Sequence, residues 1–213
     1  MILHGYFRSG AAYRTRIGLN LKGLPYQQLT VDLRTGAQRD PAFLARNPQG
    51  MVPALEVDGR VLTQSPAILE WLEEAHPRPA LLPADPFDRA QVRAMAALIA
   101  CDVHPLNNLR VLKALRGDFG ADQAAVDAWA GRWITAGLTA LEALVQRHGR
   151  GFCFGDAPGL ADVHLIPQMY SARRFNVDLT PWPGLAAVEA ACLALAPFAD
   201  AHPDRQPDAD PPA

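Results

Sequence analysis

The amino-acid sequence predicts an α/β domain followed by an all-helical domain. Strand and helix patterns alternate up to residue 76, whereas every regular pattern after residue 87 is helical. Between them, four prolines crowd the segment 76–87 and exclude regular structure, which is typical of an interdomain linker. We therefore predict an N-terminal domain at 1–79 and a helical domain at 87–213.

The N-terminal domain is predicted to have the element order β-α-β-α-β-β-α, which gives a small mixed sheet with helices on both faces. The expected strands lie at 2–7, 24–33, 54–57 and 61–63, and the expected helices at 11–22, at 41–46 and after Ser65. Gly23 closes the first helix. Asp58, Gly59 and Arg60 form the expected turn of a tight hairpin.

The stretch around this hairpin is suited to a ligand. Ser65 fits the N-cap of the next helix and Pro66 its first position, so backbone N–H groups and the helix dipole would converge on an anion at Ser65. Before the hairpin, Pro53 has no N–H to give to a sheet. The backbone of Val52 is then left to pair with a small extended ligand.

The second domain is predicted to be a set of helices that ends in a proline-rich tail. The expected helices lie at 88–103, 106–115, 123–147, 160–171 and 184–195, with a break at Pro105. The tail at 202–213 holds four prolines and three aspartates. We therefore expect it to be loose.

Composition and charge exclude several classes of protein. With 49% apolar content and a formal charge of −2 over 213 residues, the chain gives no reason to expect nucleic acid as a partner. It has no apolar run long enough for a membrane helix and no secretory signal, so we expect a cytoplasmic protein. Its three cysteines are widely spaced and odd in number, which predicts reduced, mostly buried thiols and no metal site.

Several short motifs, taken together, resemble the cytosolic glutathione transferases. FRSGAAYRTRI at 7–17 is similar to the zeta-class signature of two serines, a cysteine and then Trp-Arg-Val-Arg-Ile. Further matches are Gln64-Ser65, LLP at 81–83, HPLNN at 104–108 and SARRFNVDLTP at 171–181, which span nearly the whole chain. The chain thus resembles the glutathione-dependent maleylacetoacetate isomerases, and 104–108 and 171–175 look most like their bacterial maleylpyruvate isomerase branch.

The resemblance implies a thioredoxin-like N-terminal domain, an all-α C-terminal domain, glutathione as cofactor and a homodimer. It further implies the cis–trans isomerisation of maleylpyruvate or maleylacetoacetate in aromatic-compound catabolism, by addition and elimination of a thiolate. The sequence does not choose between these substrates. The alternatives are a general glutathione transferase, against which several arginines favour an anionic diketo acid, and a noncatalytic binding module, against which Ser9, Gln64 and Ser65 argue.

The resemblance also assigns the residues of a glutathione site. Ser9 would donate its hydroxyl to the thiolate, which the helix N-terminus and Arg8 also favour, whereas Ser9 taken by itself is a helix cap. The remaining residues are Gln38 and Gln49 at the glycyl end, Val52 and Pro53 beside the cysteinyl part, Gln64 and Ser65 at the γ-glutamyl carboxylate, and His104 and Asn108 from the helical domain. Without the resemblance, Gln38 and Gln49 would be interpreted as solvated loop residues and His104 as a buried histidine with its hydrogen bonds satisfied. The resemblance also predicts a cis Val52–Pro53 peptide bond.

The catalytic residues implied are Ser9, Arg8, Arg110 and Arg174. The three arginines would bind the two carboxylates of the diketo acid, for which the planar guanidinium is suited. Without the resemblance, a surface ion pair is the ordinary explanation for Arg110 and Arg174. Asp102 is left open as a contact to the glutamyl amine.

The chain departs from the zeta-class pattern at two places. Gly10 and Ala11 replace the second serine and the cysteine of the signature, so any activity that needs that cysteine is not implied here. Gly159 stands where the family's Ser/Thr-x-x-Asp cap before Asp162 has a hydroxyl, which concerns folding rather than chemistry.

Overall fold

The computed structural model describes residues 1–210, and residue contacts divide the chain into two compact units. The first comprises Met1–Ala80 and the segment from Leu195 onward, and the second is Leu81–Ala194. The division falls in the predicted proline-rich linker. The C-terminal segment, which we assigned to the helical domain at 87–213, groups with the first unit instead.

The first unit is built on a four-stranded mixed sheet, in the element order that the sequence predicts. Its elements are β1 (Ile2–Gly5), α1 (Gly10–Leu21), β2 (Gln27–Thr30), a 3₁₀ turn (Ala37–Arg39), α2 (Pro41–Leu44), β3 (Ala54–Val57), β4 (Arg60–Thr63) and α3 (Ser65–Ala75). The strand order is β2-β1-β3-β4, with β1 parallel to β2 and antiparallel to β3. The predicted α/β class is therefore confirmed.

One end of this sheet gathers the segments that the sequence singles out. Gly5 pairs with Thr30, while His4 pairs with Ala54, which in turn pairs with Thr63. Because β3 runs antiparallel to β1 and to β4, the residues that precede β3 lie beside those that follow the other strands. The chain after β1, before β3 and after β4 therefore meets at one end of the sheet.

The hairpin is tighter than predicted. Val57 pairs with Arg60, so the turn consists of Asp58 and Gly59 alone and Arg60 belongs to β4. Both turn residues have a positive φ, 49° and 76° respectively. This is the conformation of a two-residue type I′ turn, for which Asp-Gly is a preferred sequence.

The start of α3 also differs from the prediction, by one residue. The helix begins at Ser65, with Pro66 second, and Gln64 holds the cap position that we predicted for Ser65. Gln64 has φ 67° and ψ 112°, and a positive φ is unfavourable for a residue with a Cβ atom. The junction between hairpin and helix is therefore a strained backbone position.

Helices α1 and α3 pack closely, which fixes the helix that carries Ser9 at its start. A Cβ atom at Gly18 would lie 2.3 Å from Cδ2 of Leu69, so a larger residue here would force the Leu69 side chain to move. After the end of α1, the buried Lys22 ammonium donates to a Glu73 carboxylate oxygen and to the Pro79 carbonyl, each at 2.7 Å. These contacts hold the C-terminal end of α1 against α3.

The second unit is built from helices, as predicted. They are α4 (Pro86–Ala97), α5 (Leu109–Gly117), α6 (Gln123–His148), α7 (Leu160–Arg174) and α8 (Pro183–Leu193). Between α4 and α5, a π-helical turn at Leu98–Val103 and a 3₁₀ turn at His104–Asn107 replace the continuous helix expected up to residue 103. Within residues 1–210, no helix combines the length and the apolar character needed to cross a membrane.

Helix α7 begins at a cap that relies on one buried carboxylate. Gly159 occupies the cap position and has no side-chain oxygen, but Asp162 accepts from the Gly159 and Cys153 N–H groups, both at 2.8 Å. Burial raises the pKa of Asp162 above its ordinary value, against the opposing effect of these hydrogen bonds. The acidic half of the family's cap is thus retained without its hydroxyl.

The C-terminal segment is held against the first unit, so the prediction of a loose tail is wrong for residues 202–210. The segment contains the short helix α9 (Ala196–Asp200) and a 3₁₀ turn at Pro203–Arg205. Beyond them, the Asp208 carboxylate accepts from the Phe7 backbone N–H at 3.0 Å. Because that partner is 201 residues away in the chain, local composition carries no sign of it. Residues 211–213 of the predicted tail lie outside the described residues.

Candidate active site

Ser9 lies at the N-cap of α1, at the end of the sheet just described. Its backbone is extended, with φ −68° and ψ 115°, and its Oγ accepts from the Ala12 N–H at 3.2 Å. A serine hydroxyl has one hydrogen to donate in addition to the lone pairs that accept. Ser9 can therefore cap α1 and still donate to an anion at the helix N-terminus, so the two roles inferred from the sequence are compatible.

Arg8 covers the aromatic rings of the turn that leads to Ser9. Its guanidinium carbon lies 5.9 Å from the ring centre of Tyr6 and 5.2 Å from that of Phe7, and Nη2 donates to the Tyr6 hydroxyl at 3.3 Å. The Nε atom of Arg8 is buried and has no hydrogen-bond partner among residues 1–210. The guanidinium thus keeps donor capacity for an anion.

The Val52–Pro53 peptide bond is cis, which confirms the prediction. Pro53 is buried, and Val52 packs against a small apolar cluster that includes Phe43 of α2. Among the described residues, no backbone hydrogen bond engages Val52. Its N–H and C=O groups are therefore available to an extended ligand.

Three glutamines lie together near this end of the sheet. The Gln64 side-chain amide donates to Gln49 Oε1 at 2.6 Å. A Cβ atom at Gly50, next to Gln49, would lie only 3.1 Å from the Gln38 carbonyl oxygen, so these two loops are in contact. The Gln38 Oε1 atom is buried and has no partner among residues 1–210. A buried polar atom of this kind usually bonds to water or to a ligand.

Ser65 is buried, with 2% of its surface exposed, at the first position of α3. The N–H groups of Ser65 and Ala67 lie in the first helical turn, where a helix provides no carbonyl partners. Together with the helix dipole they make an anion site. The end of the sheet therefore carries two helix N-termini, one at Ser9 and one at Ser65.

In the second unit, His104, Asn108 and Arg110 lie on one short stretch. His104 begins the 3₁₀ turn and is half-buried. Asn108 is the N-cap of α5, where its Oδ1 accepts from the Arg110 N–H at 3.2 Å and leaves the side-chain amide able to donate. The Arg110 side chain is exposed and forms no ion pair with any of the described residues. A surface ion pair, the ordinary explanation for such an arginine, is therefore not supported for Arg110.

Helix α7 ends in two adjacent arginines, Arg173 and Arg174. Both terminal nitrogens of Arg173 donate to the two carboxylate oxygens of Glu189, and these hydrogen bonds raise the pKa of Arg173. Arg174 is exposed at the last helical position. Arg173 thus joins the end of α7 to α8, and Arg174 is the arginine that the sequence predicts to bind substrate.

Sequence reasoning missed a charged cluster beside the turn that precedes Ser9. The Arg34 guanidinium donates to both oxygens of Asp32 and, at 2.6 Å, to Asp210, and its central carbon lies 5.8 Å from the Tyr6 ring centre. The hydrogen bonds from Arg34 hold the pKa of Asp32 below its ordinary value. The short spacing of Asp32 and Arg34 is a local signal for part of this cluster, whereas nothing local points to Asp210.

The two buried cysteines offer no nucleophile to this site. All three are free, and Cys153 and Cys192 are buried while Cys101 is exposed. Burial and the nearby Asp162 carboxylate raise the pKa of both buried thiols, which keeps them protonated. Within residues 1–210, no group of three or more His, Cys, Asp or Glu side chains is arranged to hold a metal ion.

Comparisons with known proteins identify the family of this chain. The family described as glutathione S-transferase, N-terminal domain, matches residues 8–75. A maleylpyruvate isomerase from Ralstonia is 55% identical over 211 residues, which cover 98% of this chain and 99% of that protein.

Two solved structures are similar over almost the whole chain. The holo structure of a maleylpyruvate isomerase, a bacterial zeta-class glutathione transferase, has a TM-score of 0.97 and 54% identity, covering 99% of this chain and 100% of that one. The maleylacetoacetate isomerase of Anaeromyxobacter dehalogenans, with glutathione bound in its active site, has a TM-score of 0.89 and 51% identity, covering 98% and 97%. The chain therefore belongs to the glutathione transferases, and within them to the zeta class.

Proposed function

We propose that this chain is a glutathione-dependent cis–trans isomerase of a maleyl diketo acid. The observation that carries the proposal is the placement of Ser9, whose hydroxyl caps α1 and keeps its hydrogen for an anion at the end of the sheet where the Val52 backbone is also available. The full-length similarity to a maleylpyruvate isomerase at 55% identity supports the same activity.

The residues at this end of the sheet fit glutathione. The tripeptide has an extended backbone, two carboxylates and a thiol. The Val52 backbone suits the cysteinyl part, the α3 N-terminus at Ser65 suits the γ-glutamyl carboxylate, and the unpartnered Gln38 Oε1 suits the glycyl end. When bound, glutathione supplies the thiolate that adds to the cis double bond and leaves after the bond has rotated.

The protein's first task is to keep that thiol ionised. A free thiol has a pKa of about 8.5, so most of it is protonated at neutral pH. The Ser9 hydroxyl donates a hydrogen bond to the charged form, and the α1 N-terminus and the Arg8 guanidinium favour it electrostatically. Ser9 is therefore the residue that acts directly on the sulfur.

The second task is to bind the two carboxylates of the diketo acid. We assign them to Arg8, Arg110 and Arg174. A dicarboxylate is strongly hydrated, so the site must replace its water with fixed donors at both ends. The buried unpartnered Nε of Arg8 and the absence of an ion pair on Arg110 among the described residues support this assignment. The same donors also stabilise negative charge that develops on the substrate.

Two substrates remain candidates, maleylpyruvate and maleylacetoacetate. The Ralstonia relative is named for the first and the A. dehalogenans structure for the second, at 55% and 51% identity, so similarity does not choose between them. Time-resolved absorbance with each diketo acid, with and without glutathione, tests the proposal and identifies the better substrate.

The same assay separates the proposal from its alternatives. An isomerase regenerates free glutathione, so the glutathione concentration stays constant while the trans product accumulates. Consumption of glutathione together with a stable adduct would show a conjugating transferase instead. Retention on immobilised glutathione without turnover of any substrate would show a binding module.

We also propose that the protein is a homodimer, as the family resemblance implies. The chain has a mass of 23.1 kDa, so light scattering on the purified protein is expected to give twice that value. A monomer mass across the micromolar range would contradict the proposal.

A further inference from the structure

The C-terminal segment reaches the active-site turn through buried contacts with α1. The Arg16 side chain, which is fully buried, donates from Nε to the Ala201 carbonyl at 2.9 Å and from Nη2 to the Phe7 carbonyl at 3.0 Å. The Asn20 amide donates to the Pro197 carbonyl at 3.0 Å. Helix α1, which Ser9 caps, thus anchors both α9 and the chain just before Ser9.

The chain from Tyr6 to Ser9 is a tight turn. The Ser9 N–H donates to the Tyr6 carbonyl at 3.0 Å, which is the hydrogen bond of a β-turn whose central residues are Phe7 and Arg8. In such a turn the N–H of the first central residue has no partner within the turn itself. Because β1 ends at Gly5, the sheet supplies none to Phe7 either.

Asp208 provides the missing acceptor. Its Oδ2 accepts from the Phe7 N–H at 3.0 Å, and its Oδ1 accepts from the Gln28 side-chain amide of β2 at 3.0 Å. Both backbone groups of Phe7 are therefore held from outside the turn, the N–H by Asp208 and the carbonyl by Arg16. Hydrogen bonds to a carboxylate are stronger than those to neutral acceptors, so Asp208 holds the turn more firmly than a neutral acceptor would.

Fixing Phe7 fixes the two residues that follow it. The direction in which the Ser9 hydroxyl points depends on the turn, because Ser9 is its last residue and also the cap of α1. A donor that is held in place before the anion arrives stabilises the anion more, because it needs no reorganisation. A small displacement of Ser9 would weaken its hydrogen bond without removing the helix.

We propose that Asp208 is a positioning residue for the active site: its carboxylate locks the Tyr6–Ser9 turn through the Phe7 amide and so directs the Ser9 hydroxyl at the thiol of bound glutathione. The inference rests on the proposed glutathione-dependent function. Asp208 touches neither substrate nor cofactor in this account, and it acts through Phe7.

The test uses the full-length protein with Asp208→Ala and Asp208→Asn, and Asp204→Asn as the matched control. Alanine removes both hydrogen bonds, whereas asparagine keeps an acceptor oxygen but replaces the charged acceptor of the Phe7 N–H by a neutral and weaker one. Asp204 belongs to the same segment, is exposed, and its only carboxylate contact within residues 1–210 is His202 at 3.6 Å.

Two measurements need no diketo acid. Amide hydrogen exchange of the ligand-free protein is expected to speed up at Phe7 in both Asp208 variants. Ultraviolet titration of bound glutathione is expected to show the thiol pKa about one unit higher in Asp208→Ala, a tenfold loss of thiolate below that pKa. The asparagine variant is expected to lie between alanine and the parent, and Asp204→Asn to match the parent.

In the isomerase assay, kcat of Asp208→Ala is expected to fall by about 10- to 100-fold, since a displaced catalytic group costs this much, while KM for the diketo acid changes far less. Folded Asp208 variants with the parent's Phe7 exchange and thiol pKa would overturn the inference. So would failure of both variants to fold at any temperature while Asp204→Asn folds, because the role would then be one of folding alone. If the parent itself isomerises neither diketo acid, the proposed function fails, and the exchange and titration still decide the role of Asp208.

Discussion

At the scale of single residues, Ser9 shows how one hydroxyl serves structure and chemistry together. Its oxygen accepts from the Ala12 N–H and thereby caps α1, and its hydrogen remains to be donated. Capping also fixes the side-chain rotamer, because the accepted bond sets where the oxygen lies. The helix cap is thus part of what preorganises the donor for a thiolate.

Replacing Ser9 by alanine is expected to lower the isomerase rate by about 10²- to 10³-fold, the usual cost of losing one preorganised donor to an anion. The same change removes the cap and is expected to lower the free energy of unfolding by about 0.5–2 kcal/mol. Ser9→Thr retains both the hydroxyl and the cap, so it should recover most of both losses. Steady-state kinetics and urea unfolding of the three proteins check this. An alanine variant that loses stability but keeps the parent's rate would show that Ser9 is a cap alone.

Replacing Arg110 or Arg174 by alanine is expected to reduce kcat/KM for the diketo acid by about 30- to several-thousand-fold, because a carboxylate loses its desolvated partner at a cost of roughly 2–5 kcal/mol. The affinity for glutathione should scarcely change. Lysine at either position should recover only part of the loss, since an ammonium keeps the charge but not the planar two-point geometry. Arg116→Ala, in the same helix as Arg110 and bonded to Gln123, is the control.

Isothermal titration with glutathione and kinetics with the diketo acid separate the two effects of these arginine variants. Normal isomerisation by both alanine variants, or loss of glutathione binding, would contradict the assignment. Either result would favour a general transferase.

Site residues could be predicted from the sequence where they belong to a short contiguous motif. Ser9, Gln64 and Ser65 stand next to elements that it predicts, and the structure brings Ser9, Val52 and the glutamines to one end of the sheet. It was uninformative about Asp208 and Asp210, whose partners Phe7 and Arg34 are 201 and 176 residues away. Side-chain contacts across such distances are set by tertiary packing, and no periodicity records them.

At the scale of elements, the junction between β4 and α3 concentrates backbone strain at the ligand end of the sheet. Gln64 has a φ of 67°, while its side chain bonds to Gln49. Glycine would adopt this backbone without penalty. A residue with a side chain at such a position is a sign of function, since strain of this kind is found where a ligand is held.

Gln64→Gly and Gln64→Ala are expected to weaken glutathione binding to the same extent, because both remove the side-chain amide. They are expected to differ in stability, with glycine above alanine by about 1 kcal/mol or more, since only alanine keeps the Cβ atom that the positive φ disfavours. Calorimetric titration and urea unfolding of the two variants measure the two effects independently. Equal stabilities would show that this backbone position is not strained.

The cap of α7 gives a stability that depends on pH. Burial raises the pKa of Asp162 from its ordinary value of 3.8, so the folded protein binds this proton more tightly than the unfolded chain does. The contribution of Asp162 protonation to the free energy of unfolding is therefore complete at a pH below 3.8. It is lost as the pH rises through the higher folded-state pKa. For one proton, the slope is at most about 1.4 kcal/mol per pH unit.

Asp162→Asn removes the titration and one of two acceptor oxygens, so it is expected to destabilise the protein by about 1–3 kcal/mol at low pH. That difference should shrink as the pH rises from 4 to 7. Urea unfolding at several pH values measures it. A difference between parent and variant that grows over this range would mean that the carboxylate is better ionised in the folded state than its burial allows.

Some element boundaries followed from local chemistry. Asp-Gly in the hairpin and Gly23 after α1 mark ends that the structure keeps, and α6 begins where the sequence places it. The prediction was wrong by one residue at Ser65, because the cap there is a backbone of unusual φ rather than a capping side chain. It missed the π turn at Leu98–Val103, which has no pattern of its own distinct from an α-helix.

At the scale of the whole molecule, the fold class and the family could be predicted from the sequence. The alternating strand and helix patterns, the proline-rich linker and the family motifs each lie in a contiguous stretch of the chain. Which residues make up the first unit could not be predicted from the sequence, because that unit is formed from two separate parts of the chain. Residues up to Ala80 are joined by the segment from Leu195, and the buried Arg16 and the Asp208 carboxylate make the connection. The proline-rich composition of this segment predicts a loose tail, whereas prolines are equally compatible with an irregular segment that packs on a surface without joining a sheet.

The first unit contains both the first and the last segments of the chain to be translated, so it cannot be completed until synthesis is nearly finished. Phe7 is translated 201 residues before Asp208, and at roughly 5–20 residues per second the ribosome needs on the order of 10–40 s to cover that distance. During this interval the Tyr6–Ser9 turn has been made but its external acceptor has not. The Tyr6–Ser9 turn of the nascent first unit therefore lacks the Asp208 hydrogen bond until the helical unit has been translated.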